Sequence, residues 1–346
     1  MGQPERDLRR RAWIYTTDLH PRVEARARAG GARGEILARK SLTRSLARTG
    51  TPIRELKTLR QFACLKFSMA LIQKPRIFFL DRWTLDLALR YRLLSGGDLA
   101  RTWILDWFGT PTALAHSRVP ATRHLTPFPS HPNRFLGFIL HEATAPFPDA
   151  AMLREHVGKT WATRPKQVVL WGKEPKYFDE RARTLIADLV RSGARVVTTV
   201  DHRHGFDEAL RSLGATNLGH LDPTLFRALL AKSAVLVGLG DPLLGPTPLE
   251  ALAEGCAYVN PVFQCPRVIE QGRMIASSQQ PYLESLPEPL VFGALPGPPI
   301  DVVRRALDLR GSLSSLNASL SDRLVEALDP YTEAAHRDRL ADVIAE

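Results

Sequence analysis

Two kinds of hydrophobic pattern alternate along this chain. Short runs of continuous apolar residues, often β-branched or aromatic, recur at WIYTT (13–17), RIFFL (76–80), 102–105, 167–171 and 234–239. A run with no polar alternate positions predicts a strand covered on both faces, as in a parallel sheet. Between the runs lie longer stretches with apolar residues every three or four positions, which predict amphipathic helices. The spacing predicts helices over 35–48, 56–71 and 85–94, with strands at 13–17, 51–54, 76–80 and 102–105. A strand is also predicted at FLGFIL (135–140). A second series predicts strands at 167–171, 195–199, 234–239, 256–259 and 290–292. Its helices are predicted over 178–191, 206–213 and 222–232, and further helices over 300–309 and 331–344, with a helical turn at 281–286. Alternating strand and helix is the βαβ signature, so the fold class is α/β with two Rossmann-like sheets.

The first series breaks at 107–134, a segment rich in Pro, His, Thr and Ser and too long for a plain connection, which marks a functional loop. Two prolines in 143–150 mark a linker. The expected division is 1–145, 146–300, and C-terminal helices over 301–346 that return toward the first domain.

Composition narrows the class. The 346 residues are 44% hydrophobic and 24% charged, enough for two cored domains. The net charge of +11 is mostly arginine, widely spread, and densest in the N-terminal MGQPERDLRRR. No aromatic-basic interleaving accompanies it, so no nucleic-acid partner is expected. Three cysteines, Cys64, Cys256 and Cys265, form neither a disulfide framework nor a CxxC metal pair. No apolar run reaches a membrane span, so no membrane contact within this chain is expected.

Candidate chemistry concentrates at 234–263. A buried strand there runs into a Gly/Pro loop (240–246), then a helix start, then another strand. Such a strand-loop-helix unit opens a binding crevice at the carboxyl edge of an α/β sheet, and its helix N-terminus attracts phosphate. Thr247, Pro248 and Glu250 fit an N-cap, a first-turn proline and the third position of a capping box. His116, His124 and His131 with Asp106 lie in or near the irregular loop, but their spacing matches no zinc pattern. Asp81 and Asp106 close predicted strands, where they either cap helices or touch a ligand.

The segment GPTPLEALAEGCAYVNPVF (245–263) resembles the donor-site signature of the N-acetylglucosaminyltransferase V family, the α-1,6-mannosylglycoprotein 6-β-N-acetylglucosaminyltransferases. ILDWFGT (104–110), FPSHPNRFLGF (128–138), VLWGK (169–173) and QQPYLE (279–284) are similar to further segments of that family, in the same order. RGEILARKSLTRSLARTGTPIRE (33–55) is similar, more loosely, to the family's Gly-Glu helix. The resemblance implies a GT-B architecture: two Rossmann-like domains facing a cleft, with an N-terminal acceptor domain and a C-terminal nucleotide-sugar donor domain. It also implies an inverting, metal-independent transferase that needs no cofactor. UDP-N-acetylglucosamine would be the donor substrate, and the 6-hydroxyl of a mannose on a glycoprotein N-glycan the acceptor. Family members are Golgi-lumen enzymes held by a membrane anchor, which implies the same location if an anchor precedes this chain, and a soluble relative otherwise.

By the resemblance, Glu35 is the catalytic base. By position alone, it is a carboxylate favoured by a helix dipole. The resemblance gives Glu250 the donor ribose, where two acceptor oxygens suit a vicinal diol; the capping box is the competing reading. Gly245, Pro246 and Thr247 would approach diphosphate or sugar through the backbone, and Lys173 stands beside Gly172 where a cation can meet phosphate. Two departures stand out. Leu244 occupies a position that is acidic in the family, and 264–278 contains no lysine where the family has one for the diphosphate. Arg267 and Arg273 are the candidate replacements, since arginine binds phosphate bidentately.

Overall fold

The computed structural model describes residues 12–16, 34–68, 77–106, 119–129, 133–172, 174–269, 274–294 and 300–346. The chain divides into two compact units: Met1–Ile139 with Glu333–Glu346, and Leu140–Thr332.

The first unit contains a parallel six-stranded sheet, ordered β2-β1-β3-β4-β5-β6. Its strands are β1 (Ala12–Tyr15), β2 (Ile53–Glu55), β3 (Ile77–Asp81), β4 (Thr102–Leu105), β5 (His124–Thr126) and β6 (Arg134–Phe135). Helices α1 (Gly34–Arg48), α2 (Leu59–Ser68) and α3 (Arg82–Arg90) alternate with them. Successive side chains of a strand point to opposite faces, and here both faces are covered. Trp13, Tyr15, Phe78 and Leu80 pack with Phe62 and Leu85 on one face. Ala12, Ile14, Ile77 and Phe79 pack with Leu42 and Leu46 on the other. That double burial is why these strands read as unbroken apolar runs.

The run FLGFIL behaves otherwise. Pairing stops at Phe135, and 136–140 is buried but irregular. Gly137 has a φ of 81°, outside the strand region. The backbone N–H groups of Leu136 and Gly137 both turn to the Thr126 carbonyl, and the Ile139 N–H donates to Ser41 Oγ at 2.8 Å. Apolar composition reports burial here, not strand geometry.

The second unit has a seven-stranded sheet, ordered β12-β11-β10-β7-β8-β9 with β13 beside β11. The strands are β7 (Gln167–Trp171), β8 (Arg195–Thr198), β9 (Thr216–Asn217), β10 (Val235–Gly238), β11 (Ala257–Ile269), β12 (Met274–Ser278) and β13 (Val291–Ala294). All pairings are parallel except β11 with β12. The helices are α4 (Ala150–Thr160), α5 (Glu180–Arg191), α6 (His204–Ser212), α7 (Pro223–Lys232), α8 (Thr247–Ala253), α9 (Ile300–Ser312) and α10 (Ala318–Leu328). Asp149, Asp179, Asp222 and Asn317 cap four of them by accepting from first-turn N–H groups.

The division between units falls at 139/140 rather than 145/146, and α9 and α10 stay with the second unit. One C-terminal helix, α11 (Glu333–Ala345), belongs to the first unit. It sends Leu340 and Val343 into the cluster around Ile14 and Phe79 and sets buried His336 against Ser45 of α1, Nδ1 to Oγ 2.8 Å. Among the described residues, no helix is long and apolar enough to cross a membrane.

Candidate functional site

In the first unit the carboxyl ends of the strands surround a small cavity of about 60 Å³. Thr16 follows β1, Asp81 ends β3, Asp106 follows β4 and Thr126 ends β5, and all four line it together with Glu35 and Arg39 of α1. Glu35 sits in the first turn of α1 and is exposed. Arg39, nearly buried, is held by Glu55 at 2.6 Å. Asp81 is the N-cap of α3: its carboxylate accepts from the Thr84 N–H at 2.8 Å, and Thr84 Oγ1 accepts from the Asp81 N–H at 3.1 Å. Thr84 also donates to the Tyr15 carbonyl at 2.7 Å. Burial, with the Asp81 charge added, raises the Tyr15 hydroxyl pKa. Three carboxylates therefore share one cavity wall: Glu35, Asp81 and Asp106. His124 lies behind it, fully buried, its Nδ1 3.5 Å from Asp106, beyond normal hydrogen-bond length. His116 and His131 lie outside the described residues. Among the described residues, no group of three or more His, Cys, Asp or Glu is placed to hold a metal ion.

In the second unit the loop after β10 is built around two glutamines. A Cβ on Gly238 would stand 2.0 Å from Gln279 Oε1, so only glycine lets that amide cross the strand end. Gln279 Oε1 accepts from Gly240 N–H and from Tyr258 hydroxyl, each at 3.2 Å, and its Nε2 donates to the Pro242 carbonyl at 3.0 Å. Gln280 Oε1 accepts from Gly245 N–H at 3.3 Å. Asn260 fixes Gln280 in turn, accepting from its N–H and donating to its carbonyl, both at 3.1 Å. Gly245 rests on Trp171, whose ring would be 2.8 Å from an added Cβ. Leu244 is buried, with a φ of 49°, so its side chain belongs to the interior.

The capping box is not formed. The N-cap of α8 is Pro246, with no side-chain cap hydrogen bond, and Thr247 is already helical. The shift by one residue moves Glu250 past the third position, and its N–H donates to the Pro246 carbonyl at 3.1 Å. Prolines at 246 and 248 bring no N–H, and that of Gly245 is spent on Gln280. The helix start thus offers fewer donors to an anion than its sequence suggests, and an anion held here would draw positive charge from a side chain. Arg267 of β11 supplies one at this loop. Its Nη1 donates to the Gly240 carbonyl at 3.2 Å and to Asp241 at 2.8 Å, and its guanidinium lies 4.0 Å from the Phe263 ring centroid. Lys173 and Arg273 lie outside the described residues.

The other end of α8 is anchored by charge. Glu254, its C-cap, is buried and meets Arg227 Nε at 2.7 Å and the Nε2 atoms of His141 and His156 at 3.1 Å each. Burial alone would raise the Glu254 carboxyl pKa. The hydrogen bonds from the two histidines and the Arg227 charge more than reverse it, holding the group well below the carboxylate range. His141 is itself lowered, chiefly by burial, so Arg227 is the lasting counter-charge. Arg164 donates to the Glu254 carbonyl at 2.8 Å and Arg310 to that of Gly255 at 2.7 Å. These are cations at a helix C-terminus, where the dipole favours them. Gly255, at φ 76°, lies so close to Thr160 O that a Cβ would come within 2.4 Å.

A family profile described as glycosyltransferase family 18 matches residues 100–293, more than half of the chain. The chain belongs to this family. Among its relatives is α-1,6-mannosylglycoprotein 6-β-N-acetylglucosaminyltransferase A of Homo sapiens, 28% identical over 180 residues, 47% of this chain and 23% of that enzyme. The Caenorhabditis elegans enzyme of the same type is 28% identical over 181 residues, 49% of this chain and 25% of its own. The match thus takes in about a quarter of the length of these relatives. Among solved structures, AviGT4, a glycosyltransferase involved in avilamycin A biosynthesis, aligns with a TM-score of 0.54 at 11% identity, covering 97% of each chain. Anabaena HepE in complex with UDP aligns at 0.55 with 10% identity, covering 97% of this chain and 99% of that one. The fold of this family member is GT-B. The matched residues include the loop and helix at 240–253, whereas Glu35 lies upstream of them.

Sequence reasoning did not single out Gln279, Gln280 or Asn260, which hold the loop. The paired glutamines of QQPYLE were the available signal, but amides acting on backbone groups across a sheet have no spacing rule.

Proposed function

We propose that this family 18 protein transfers N-acetylglucosamine from UDP-N-acetylglucosamine to the 6-hydroxyl of a mannose on an N-glycan, with inversion at the anomeric carbon. What carries the reading is the family match across the donor loop, with relatives named for this transfer. Glu35 is the base. It takes the proton from the acceptor hydroxyl as that oxygen bonds to the anomeric carbon and the bond from that carbon to the diphosphate breaks. Exposure at the rim of a carboxylate-lined cavity suits that role. Glu250 accepts from the ribose hydroxyls, since a carboxylate offers two acceptor oxygens to a vicinal diol. Gly245, Pro246 and Thr247 border the diphosphate. Arg267 meets its negative charge in place of a metal ion; a guanidinium has five N–H donors, so phosphate and Asp241 can both be served. Lys173 and Arg273 are further candidates for that charge.

The test is UDP release from UDP-N-acetylglucosamine with a mannose-terminated N-glycan present. Wild type is expected to form a β-1,6-linked product, and Glu35→Gln to lose at least about a hundredfold in kcat. Full activity in Glu35→Gln removes the base assignment. UDP binding without turnover on any acceptor replaces the enzyme reading with a nucleotide-binding one.

A further inference from the structure

His124 is fully buried, and neither of its ring nitrogens has a hydrogen-bond partner. A group of this kind costs stability unless a partner compensates it. His124 opens β5, where its register partner on β4 is Ile104. Ile104 belongs to the apolar cluster of Trp13, Phe78 and Leu80, so an apolar side chain would serve stability better at this position. Asp106 lies two residues beyond Ile104, and the period of two brings it to the same face as His124. Its backbone N–H is fixed on the Leu125 carbonyl at 2.7 Å. His124 Nδ1 stands 3.5 Å from Asp106 Oδ2, and Asn133 Nδ2, just before β6, stands 3.5 Å from the same oxygen. Two buried donors from separate segments thus converge on one carboxylate oxygen, each about half an ångström beyond an ordinary hydrogen bond. Contacts of this length commonly tighten in the substrate complex. Asp106 in turn lines the cavity that it shares with Glu35 and Asp81.

We propose that His124 is a positioning residue of this cavity, holding the Asp106 carboxylate in place to accept a hydroxyl of the acceptor sugar. This rests on the transferase reading above. An ionised carboxylate only accepts, so it selects the imidazole tautomer that carries its proton on Nδ1. Its two oxygens offer about four lone-pair sites, so the group can stay on His124 and Asn133 while it receives a sugar hydroxyl. Space filling alone would require no nitrogen at this position.

Calorimetric titration with a mannose-terminated oligosaccharide, and separately with UDP, tests this on wild type, His124→Leu, His124→Asn and His124→Gln. The amide nitrogen of asparagine falls where histidine Nδ1 stands, and that of glutamine where Nε2 stands. The oligosaccharide Kd is expected to rise about tenfold in His124→Leu and His124→Gln, the scale of one hydrogen bond to a charged group, and to recover largely in His124→Asn. UDP affinity stays as in wild type. The thermal midpoint of His124→Leu does not fall, because leucine needs no partner in an apolar setting. In an Asp106→Asn background His124→Leu adds no further loss, since the two residues act through one contact. An oligosaccharide Kd unchanged in His124→Leu overturns the proposal. So does equal behaviour of the Asn and Gln variants, or a full effect of His124→Leu in the Asp106→Asn background. A wild type that binds UDP but no oligosaccharide overturns it as well. Absence of UDP binding in a wild type that still binds the oligosaccharide counts against the donor reading instead, so the two failures are distinguishable.

Discussion

His336 makes the first unit sensitive to acid in a way that can be worked out beforehand. It is fully buried between α11 and α1, its Nδ1 against Ser45 Oγ. Burial, with the Arg339 charge added, pushes its pKa down to about 3. In the unfolded chain a histidine titrates near about 6.5. Above that pH both states are neutral at this site and stability is unaffected. Below it the unfolded chain takes up a proton that the native protein refuses, and stability falls until the native group titrates as well. The loss is about 1.4 kcal/mol per pH unit, so roughly 2.7 kcal/mol by pH 4.5 and about 4 to 5 kcal/mol near pH 3. That is a large share of the roughly 5–15 kcal/mol that holds a typical domain together. Other groups titrate over the same range, so the measurement must be a difference. Urea unfolding of wild type and His336→Gln, followed by tryptophan fluorescence from pH 7.5 to 4.5, isolates the imidazole. The variant is less stable at pH 7.5 because it loses the Ser45 contact, and the gap should narrow by roughly 2.7 kcal/mol on going to pH 4.5. Parallel profiles for the two proteins would refute the reasoning, because they would mean that His336 takes up its proton at the same pH in both states.

Other expectations concern the second unit. Gly245→Ala drives a methyl into the Trp171 ring; a stability loss of about 1–3 kcal/mol and a higher donor KM are expected, read by thermal unfolding and UDP titration. Glu254→Gln leaves Arg227 without its counter-charge and is expected to cost roughly 3 kcal/mol at pH 7, measured by urea unfolding. Because the Glu254 pKa is depressed in the native protein, wild type holds that contribution in full above the ordinary carboxylate range and loses it progressively as pH falls through that range and below it. Arg267→Gln should weaken UDP binding about tenfold or more by calorimetry while leaving uridine binding unchanged, since a charged hydrogen bond to phosphate contributes about 1.5–3 kcal/mol. Equal losses for both ligands would place Arg267 away from the diphosphate.

Much of the sheet architecture was legible because burial on both faces writes a strand into the sequence as an unbroken apolar run. Thr102–Leu105 and Gln167–Trp171 emerge with the predicted bounds. FLGFIL shows the limit of that signal, since a left-handed glycine can bury an apolar run without pairing it. The helices Ala150–Thr160 and Ala318–Leu328 escaped notice because polar residues interrupt their apolar stripes, although Asp149 and Asn317 already marked their starts. Among the candidate residues, the 245–250 loop could be nominated because helix starts and Gly/Pro turns have sequence signatures, whereas Glu35 was singled out by the family resemblance, its position alone marking only a first-turn carboxylate. TPLE fitted a capping box letter by letter, yet Pro246 moved the helix start by one residue and dissolved it. Arg267 could be suspected from the missing lysine. Its attachment to Asp241 and Phe263 depends on the β11–β12 pairing, which no local pattern announced.

Helix α11 has a consequence for how the protein is made. Two of its side chains, Leu340 and Val343, complete a core whose other members lie before residue 140. Residues 140–332 intervene, and they form a contiguous unit of their own. On the ribosome, at about 5–20 residues per second, the first sheet therefore emerges roughly 10–40 seconds before the helix that covers one of its faces. The unit encoded second can close first. The one encoded first must wait with Ile14 and Phe79 incompletely covered, so a chaperone that shields apolar surface has most to do at the beginning of this chain. A fragment cut at residue 139 would keep that exposure for good.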